Sequence, residues 1–301
     1  MPLKPETAQI NDLVLAFRAD APPPTAELMR EGWAQLIAQV STDETTCKVE
    51  PIDVGGLKSL SFTPPETDGG LLVWFHGGGW VIGSPELAIN EVDRLCVAAR
   101  CRGISVDYRL APEHPFPASQ LDAVAAATWC VAHAGELGAD SAKVAVGGDS
   151  AGGNLAAVAA QRVDGLAAQI LVYPGCNLTK EWRATFRHTE GYMLDGDSIA
   201  FFLGCAIGDA DLTDPLISPQ FASADTIRAL PPAYVVTAEY DPLREEGGVY
   251  AATMRKAGVQ VDEAHFAEEM HGFFSMPEVL EDARIAIGGA AAFLRTQFSA
   301  H

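Results

Sequence analysis

The sequence predicts an α/β fold in which a mainly parallel sheet of about eight strands carries helices on both faces. From residue 71 onward, short apolar runs alternate with longer stretches of helical periodicity, as in strands joined by helical crossovers. The 301 residues are 48% hydrophobic and 20% charged, which suits a globular protein with one large core, alone or with a small appendage.

The strands are predicted in two groups. Residues 47–54 and 57–63 are separated by Gly55 and Gly56, which indicates a hairpin. Six further strands are predicted at residues 71–75, 103–108, 143–147, 169–173, 233–237 and 259–266. Helical stretches lie between or after them, near residues 86–100, 117–134, 151–163, 243–257 and 277–297. Because helices connect these six strands, we expect them to be mainly parallel.

Two segments stand outside this alternation. Before the first strand, apolar residues recur at helical spacing on both sides of a triple proline, which predicts a pair of helices. The apolar positions are Ile10, Leu13, Val14 and Phe17, then Met29, Trp33, Leu36, Ile37 and Val40. The second segment, residues 177–220, is longer than a simple crossover and rich in Phe, Gly and Asp, so we interpret it as an insertion.

Composition and charge argue against several classes of protein. Forty acidic residues against twenty basic ones give a net charge of -20, which repels nucleic acid and anionic membranes. No apolar run approaches the roughly 18 residues of a membrane span, and the first twenty residues lack a signal peptide's apolar stretch. The six cysteines show neither C-x-x-C pairs nor zinc-finger spacing. We therefore expect a cytoplasmic protein with reduced cysteines, no metal site, no nucleic-acid partner and no stable membrane association.

The strongest chemical signal is a G-x-S-x-G motif at residues 148–152, where an apolar strand runs into an alanine-rich helix. A serine in such a turn adopts a strained backbone conformation, which the small residues Gly148 and Gly152 permit. The turn would expose the Ser150 hydroxyl and point the Ala151 amide into the same space. The alternative is an ordinary glycine-rich or anion-binding turn, although no P-loop lysine and no G-x-G-x-x-G motif accompany it.

A second motif, His-Gly-Gly-Gly-Trp at residues 76–80, follows an apolar strand. Three successive glycines leave backbone amides uncovered, and such donors stabilise the oxyanion of acyl transfer. One lost donor costs about 3–4 kcal/mol in a known case. We predict that the amides of Gly77, Gly78, Gly79 and Ala151 form an oxyanion hole, the alternative being a flexible glycine loop. His76, at a strand end, is interpreted as a structural hydrogen-bonding residue.

A serine nucleophile needs a base and an acid that orients the base. His271 follows the last predicted strand, from where it can reach the carboxyl end of the sheet. Asp241 follows the strand at 233–237 and is the predicted acid, with Glu239 as a near rival and helix capping as its alternative role.

The other histidines fit the role of base less well. His265 lies within the strand pattern, and His301 is terminal. His114, His133 and His188 have no matching position after a late strand, so we interpret them as structural or surface residues.

These motifs resemble the bacterial hormone-sensitive-lipase-like esterases of the G-D-S-A-G-G subgroup. The resemblance covers roughly residues 70–275 and rests on residues 76–80, 107–118, 148–153, 241–243 and 271–273. The order Ser150, Asp241, His271 is also that of α/β hydrolases. The resemblance implies an α/β-hydrolase fold and carboxylesterase activity on short- to medium-chain acyl esters, without metal or organic cofactor. It also implies a helical cap at 1–45 and 177–220 over a catalytic core at 46–176 and 221–301.

Residues without an obvious chemical step are assigned less specific roles. An apolar site between cap and core is expected, although plain core packing is the alternative for each candidate lining residue. These candidates are Trp33, Trp80, Met193, Phe201 and Phe202. Asp149 and Arg109 are interpreted as structural residues that support turns. A homodimer could form through a sheet edge or the last helix, and no sequence feature decides it.

Two alternative functions remain open at this stage. The same fold could hydrolyse amides, peptides or lactones, which a matched substrate panel would separate from esters. A non-catalytic ligand-binding protein of hydrolase descent is the other alternative, although such proteins usually lose the nucleophile or the base.

Overall fold

The computed structural model describes residues 1–19, 22–184, 187–188 and 190–300. In this part of the chain, eight strands form one sheet in the order β1-β2-β4-β3-β5-β6-β7-β8. Strand β2 pairs antiparallel with β1 and β4, and the pairs from β4 through β8 are parallel. The strands are β1 (Lys48–Val54), β2 (Leu57–Thr63), β3 (Gly70–Phe75), β4 (Cys101–Val106), β5 (Val144–Asp149), β6 (Leu166–Val172), β7 (Ala233–Tyr240) and β8 (Val261–Met270). The predicted hairpin and mainly parallel sheet are confirmed.

Helices cover both faces of this sheet. They are α1 (Pro5–Ala19), α2 (Ala26–Val40), α3 (Ile89–Ala99), α4 (Ala118–His133), α5 (Ala151–Ala160), α6 (Lys180–Arg183), α7 (Gly196–Ala206), α8 (Ala224–Arg228), α9 (Arg244–Lys256) and α10 (Glu281–Ser299). In β3, Leu71, Val73 and Phe75 join the core under α4, α5 and α9, whereas Leu72 and Trp74 join the core under α3 and α10. Side chains alternate along a strand, so a strand covered on both faces must be apolar throughout.

The largest difference from the predicted strand bounds is in β8. The apolar pattern predicts residues 259–266, whereas the strand runs from Val261 to Met270. Its second half contains Glu268 and Glu269, which an apolar-run criterion does not assign to a strand. As a result, His271 follows the strand directly. The predicted division into core and cap stays a prediction.

The first helix lies beside the carboxyl end of β8. The Thr7 hydroxyl donates to Glu269 Oε2 at 2.8 Å, and both side chains are buried. Burial raises the pKa of Glu269 to about 7. At the other end of α1, Arg18 pairs with Asp195 at 2.9 Å and donates to the Met193 carbonyl. These contacts hold α1 against both the last strand and the segment that precedes α7.

A buried carboxylate fixes the loop after β6. Glu246 Oε2 accepts the backbone N–H groups of Cys176 at 2.5 Å and Asn177 at 2.9 Å. Burial raises the pKa of Glu246 to about 8, although the two N–H donors act in the opposite direction. The proton on this side chain is therefore part of the folded state at neutral pH.

The raised pKa predicts pH-dependent stability. From about pH 5 to about pH 8, the unfolded chain has Glu246 ionised while the folded chain keeps its proton, so stability falls as pH rises. In Glu246→Gln this contribution is absent, and its free energy of unfolding should fall less steeply than that of the wild type. Urea titrations at several pH values would measure this. Glu245→Gln, at an exposed neighbour, is the control, and equal slopes for wild type and Glu246→Gln would contradict the prediction.

Candidate active site

Ser150 occupies the turn between β5 and α5 in a strained conformation. Its φ is 55° and its ψ -119°, a backbone region that costs a residue other than glycine about 1–3 kcal/mol. The turn is possible because β3 and α5 approach closely: a Cβ on Gly152 would lie 1.9 Å from the carbonyl oxygen of Phe75. The Ser150 N–H donates to the Val172 carbonyl at 2.9 Å, which fixes the turn to β6.

Ser150, His271 and Asp241 are brought together in one chain of hydrogen bonds. His271 Nε2 lies 2.8 Å from Ser150 Oγ, and His271 Nδ1 lies 2.7 Å from Asp241 Oδ2. Asp241 is 2% exposed and His271 7% exposed, so solvent barely reaches the pair. The Asp241 carboxylate accepts a hydrogen bond from the Nδ1–H of His271 and does not take up this proton. The proton therefore stays on Nδ1, and Nε2 is free to accept the Ser150 hydroxyl proton.

The two interpretations of Asp241 are compatible, because its oxygens have different partners. Asp241 Oδ1 accepts the Leu243 N–H at 2.7 Å and supports the turn into α9, while Oδ2 faces His271. The rival Glu239 lies elsewhere: it pairs with Arg244 and with His265 Nε2, the latter at 3.1 Å.

The remaining histidines contact other parts of the molecule. His114 is exposed. His133 lies 2.8 Å from the Trp129 carbonyl oxygen, and the His188 ring packs against Tyr240 at 5.0 Å. His301 lies outside the described residues.

The glycine loop differs from expectation at its first amide. The Gly77 N–H donates to Asp149 Oδ1 at 2.8 Å, so it is not free to face an oxyanion as predicted. Within the described part of the chain, the N–H groups of Gly78, Gly79 and Ala151 have no acceptor. The sequence could not reveal this difference, because it depends on where the Asp149 side chain points.

His76 supports this loop through hydrogen bonds. Its Nδ1 lies 2.8 Å from the Gly77 carbonyl oxygen, and its own carbonyl accepts the Tyr108 hydroxyl at 2.8 Å. Burial lowers the pKa of His76 to about 4, so the ring is neutral at pH 7. Arg109 likewise pairs with Asp122, at 2.7 Å, as expected of a structural residue.

An apolar cavity of about 250 Å³ opens beside Ser150 and His271. Four of the candidate lining residues, Trp33, Trp80, Met193 and Phe202, border it. Phe201 does not, and instead packs against the hydrophobic core. On α7 the lining residues are Ser198, Ile199, Phe202 and Leu203, whose spacing is that of one helix face, and Phe201 falls outside this face.

Part of the cavity wall was missed by the sequence analysis. Leu13, Val14 and Phe17 of α1 line it, and Leu13 and Phe17 remain 53% and 47% exposed at its rim. Their helical spacing predicted a buried face for α1, but not that this face would border the site.

Comparison with known proteins agrees with the fold and the motifs. Residues 72–275 match the model of a protein family whose description is alpha/beta hydrolase fold. The chain belongs to the α/β-hydrolase family. The match confirms the predicted fold, and together with the relatives below it confirms the resemblance to hormone-sensitive-lipase-like carboxylesterases.

Several relatives of this α/β hydrolase have names that include an activity. The esterase LipI of Mycobacterium tuberculosis is 37% identical over 238 residues, which cover 77% of this chain and 74% of that protein. An arylesterase of Saccharolobus solfataricus is 39% identical over 230 residues, 74% of each chain. The structure of a hyperthermophilic esterase from the archaeon Pyrobaculum calidifontis matches with a TM-score of 0.90 at 35% identity, covering 98% of this chain and 99% of that one.

The described part of the hydrolase contains neither a membrane-spanning helix nor a metal-binding cluster. Among its described helices, none has the length and apolar character needed to cross a bilayer. Within the same described residues, no three His, Cys, Asp or Glu side chains form a group that could hold a metal ion.

The close approach at Gly152 predicts a large effect of one methyl group. Gly152→Ala should lower the free energy of unfolding of the hydrolase by about 3 kcal/mol, because the added Cβ meets backbone on β3. Thermal unfolding would measure it. Gly248→Ala is the matched control: it adds the same methyl group to exposed α9, where nothing lies within 4 Å, and should raise stability by about 0.5–1 kcal/mol. Equal stability of the two variants would contradict the assignment of strain to this turn.

Proposed function

We propose that this chain is a carboxylesterase that hydrolyses short- to medium-chain acyl esters through Ser150, His271 and Asp241 and an acyl-enzyme intermediate. The observation that carries the proposal is the hydrogen-bond chain from Ser150 to His271 to Asp241, at 2.8 and 2.7 Å, beside an apolar cavity. The names of the relatives, esterase, carboxylesterase and arylesterase, support ester hydrolysis as the reaction.

Acylation begins when Ser150 Oγ attacks the ester carbonyl and its proton passes to His271 Nε2. The Asp241 carboxylate, buried at 2% exposure, stabilises the imidazolium that forms. Negative charge on the carbonyl oxygen is held by the amides of Gly78, Gly79 and Ala151. Collapse of the tetrahedral intermediate breaks the bond to the alcohol, which leaves with the proton from His271.

Deacylation repeats these steps with water as the nucleophile. His271 Nε2 takes a proton from the water as the water oxygen attacks the acyl carbonyl, and the same amides hold the second oxyanion. The carboxylic acid leaves as Ser150 Oγ recovers its proton from His271. The two half-reactions use one set of residues, so each variant of the triad affects both.

The cavity is the proposed acyl site. Its walls come from α1, α2 and α7, and we propose that α1, α2 and the segment around α7 act as a cap. Each methylene group moved from water into this apolar space contributes about 0.8 kcal/mol. The specificity constant kcat/KM should therefore rise with chain length until the cavity is filled.

A panel of p-nitrophenyl esters from acetate to palmitate tests the proposal. The wild type should show its highest kcat/KM at short to medium chains, and Ser150→Ala should be inactive while keeping the His271–Asp241 hydrogen bond and the fold. Matched amides and lactones belong in the same panel. A well-folded wild type that is inactive on every ester, or more active on amides or lactones, would overturn the proposal.

Removing the charge of Asp241 tests the role of the acid. Asp241→Asn should fold and lose about 10⁴-fold in kcat, because the amide favours the wrong tautomer of His271. Glu239→Gln is the matched control two residues earlier, and its kcat should equal that of the wild type because Glu239 contacts His265 and Arg244 instead. A fully active Asp241→Asn enzyme would assign the role of the acid to another carboxylate.

A further inference from the structure

Asp149 is a buried carboxylate beside the proposed nucleophile that the triad does not use. It ends β5, is 5% exposed, and directs Oδ1 to the backbone N–H of Gly77 at 2.8 Å. Gly77 begins the glycine loop, and the next two amides of this loop have no acceptor among the described residues. One side chain therefore connects the turn that holds Ser150 to the loop that is proposed to hold the oxyanion.

The contact between Asp149 and Gly77 is too close for any side chain at residue 77. A Cβ on Gly77 would lie 2.2 Å from Asp149 Oδ2 and 3.2 Å from the Asp149 carbonyl oxygen. The φ of Gly77 is outside the left-handed region, so its backbone conformation does not itself demand glycine. The proximity of Asp149 is what requires glycine at this position.

Asp149 also contacts the loop that carries His271. The Ser275 hydroxyl lies close enough to this carboxylate to lower its pKa. Ser275 lies in the single helical turn Phe273–Ser275, and its N–H donates to the Gly272 carbonyl at 3.3 Å. The three loops that supply the nucleophile, the oxyanion donors and the base thus meet at one carboxylate.

The surroundings of Asp149 determine its charge. Burial raises the pKa of Asp149 to about 6, while the positive charge of a protonated His271, the Gly77 N–H and the Ser275 hydroxyl oppose the rise. Glu91 of α3 lies nearby, and burial, together with the charge of Asp149, holds the pKa of Glu91 well above its usual range. Tyr108 and Tyr173 also face Asp149, and burial raises the pKa of both phenols. With a pKa of about 6, Asp149 is mainly ionised at pH 7, which makes the bond to Gly77 charge-assisted.

We propose that Asp149 is a positioning residue, which holds Gly77 so that the Gly78 and Gly79 amides face the oxygen that becomes negative at Ser150. The proposal rests on the proposed ester hydrolysis. It predicts a larger defect in stabilising the transition state than in binding the ground-state substrate, because Asp149, although it borders the cavity, directs Oδ1 to the Gly77 N–H.

Three variants test this role with the best p-nitrophenyl ester. Asp149→Asn keeps an oxygen for Gly77 but loses the charge, so kcat should fall about 10-fold. Asp149→Ala removes the acceptor, so kcat should fall about 100-fold or more, the effect of losing one oxyanion donor. In both variants KM should stay within about threefold of the wild-type value. Glu91→Gln is the control, since it alters a neighbouring buried carboxyl that makes no bond to the loop, and its kcat should be unchanged.

A transition-state analogue distinguishes positioning from general loosening of the fold. The Ki of an alkyl trifluoromethyl ketone, which forms an oxyanion with Ser150, should rise by the same factor by which kcat/KM falls. Wild-type kcat in both Asp149 variants, a change confined to KM, or an unchanged Ki would overturn the proposal. If Asp149→Ala does not fold, Asp149→Asn decides, and a kcat of this variant equal to that of the wild type would then overturn the proposal.

Failure of this inference can be told apart from failure of the proposed function. A fluorophosphonate labels the activated serine, and its phosphoryl oxygen enters the same space as the ester oxyanion. If the wild type hydrolyses no ester, the proposed function fails, yet the labelling rates should still decrease from wild type to Asp149→Asn to Asp149→Ala. Equal labelling rates would overturn the positioning role.

Discussion

The conformation of Ser150 depends on a backbone contact that only glycine allows. Gly152 brings the start of α5 against the carbonyl oxygen of Phe75 at the end of β3. This contact brings the nucleophile turn next to the glycine loop that follows β3. The carboxyl ends of β3, β5, β7 and β8 then supply the loop, the nucleophile, the acid and the base around one point. The strain at Ser150 is offset by packing in the surrounding core, where the flanking strands are fully buried.

The parts of the fold and site that could be predicted are those that depend on backbone geometry. Residue types at fixed spacings in the sequence identify three of these features: the alternation of strands and helices, the Ser150 turn, and the order of Ser150, Asp241 and His271. The hydrogen bond between the Gly77 N–H and Asp149 could not be predicted from residue types and spacings, because it depends on one side-chain torsion. The choice between Phe201 and Phe202 depends on which face of α7 borders the cavity, and this is set by how the helix docks on the rest of the molecule.

The choice between Asp241 and Glu239 shows how strand register separates similar candidates. Two carboxylate–histidine pairs lie on the neighbouring strands β7 and β8. Glu239 and His265 lie within their strands, with side chains that are partly exposed, whereas Asp241 and His271 follow the ends of the same strands and are buried. A polar pair on an exposed strand face is solvated, and a pair at the carboxyl end can meet residues from other loops.

The contacts of α1 make substrate access depend on pairings between distant parts of the chain. Thr7 is hydrogen-bonded to Glu269, 262 residues later in the sequence, and Arg18 is paired with Asp195. Contacts of such long sequence separation close large loops, which costs conformational entropy before the contact is gained. Leu13 and Phe17 of the same helix line the cavity. A molecule in which the sheet has formed but α1 has not yet docked would therefore hold Ser150 and His271 beneath an incomplete cavity wall.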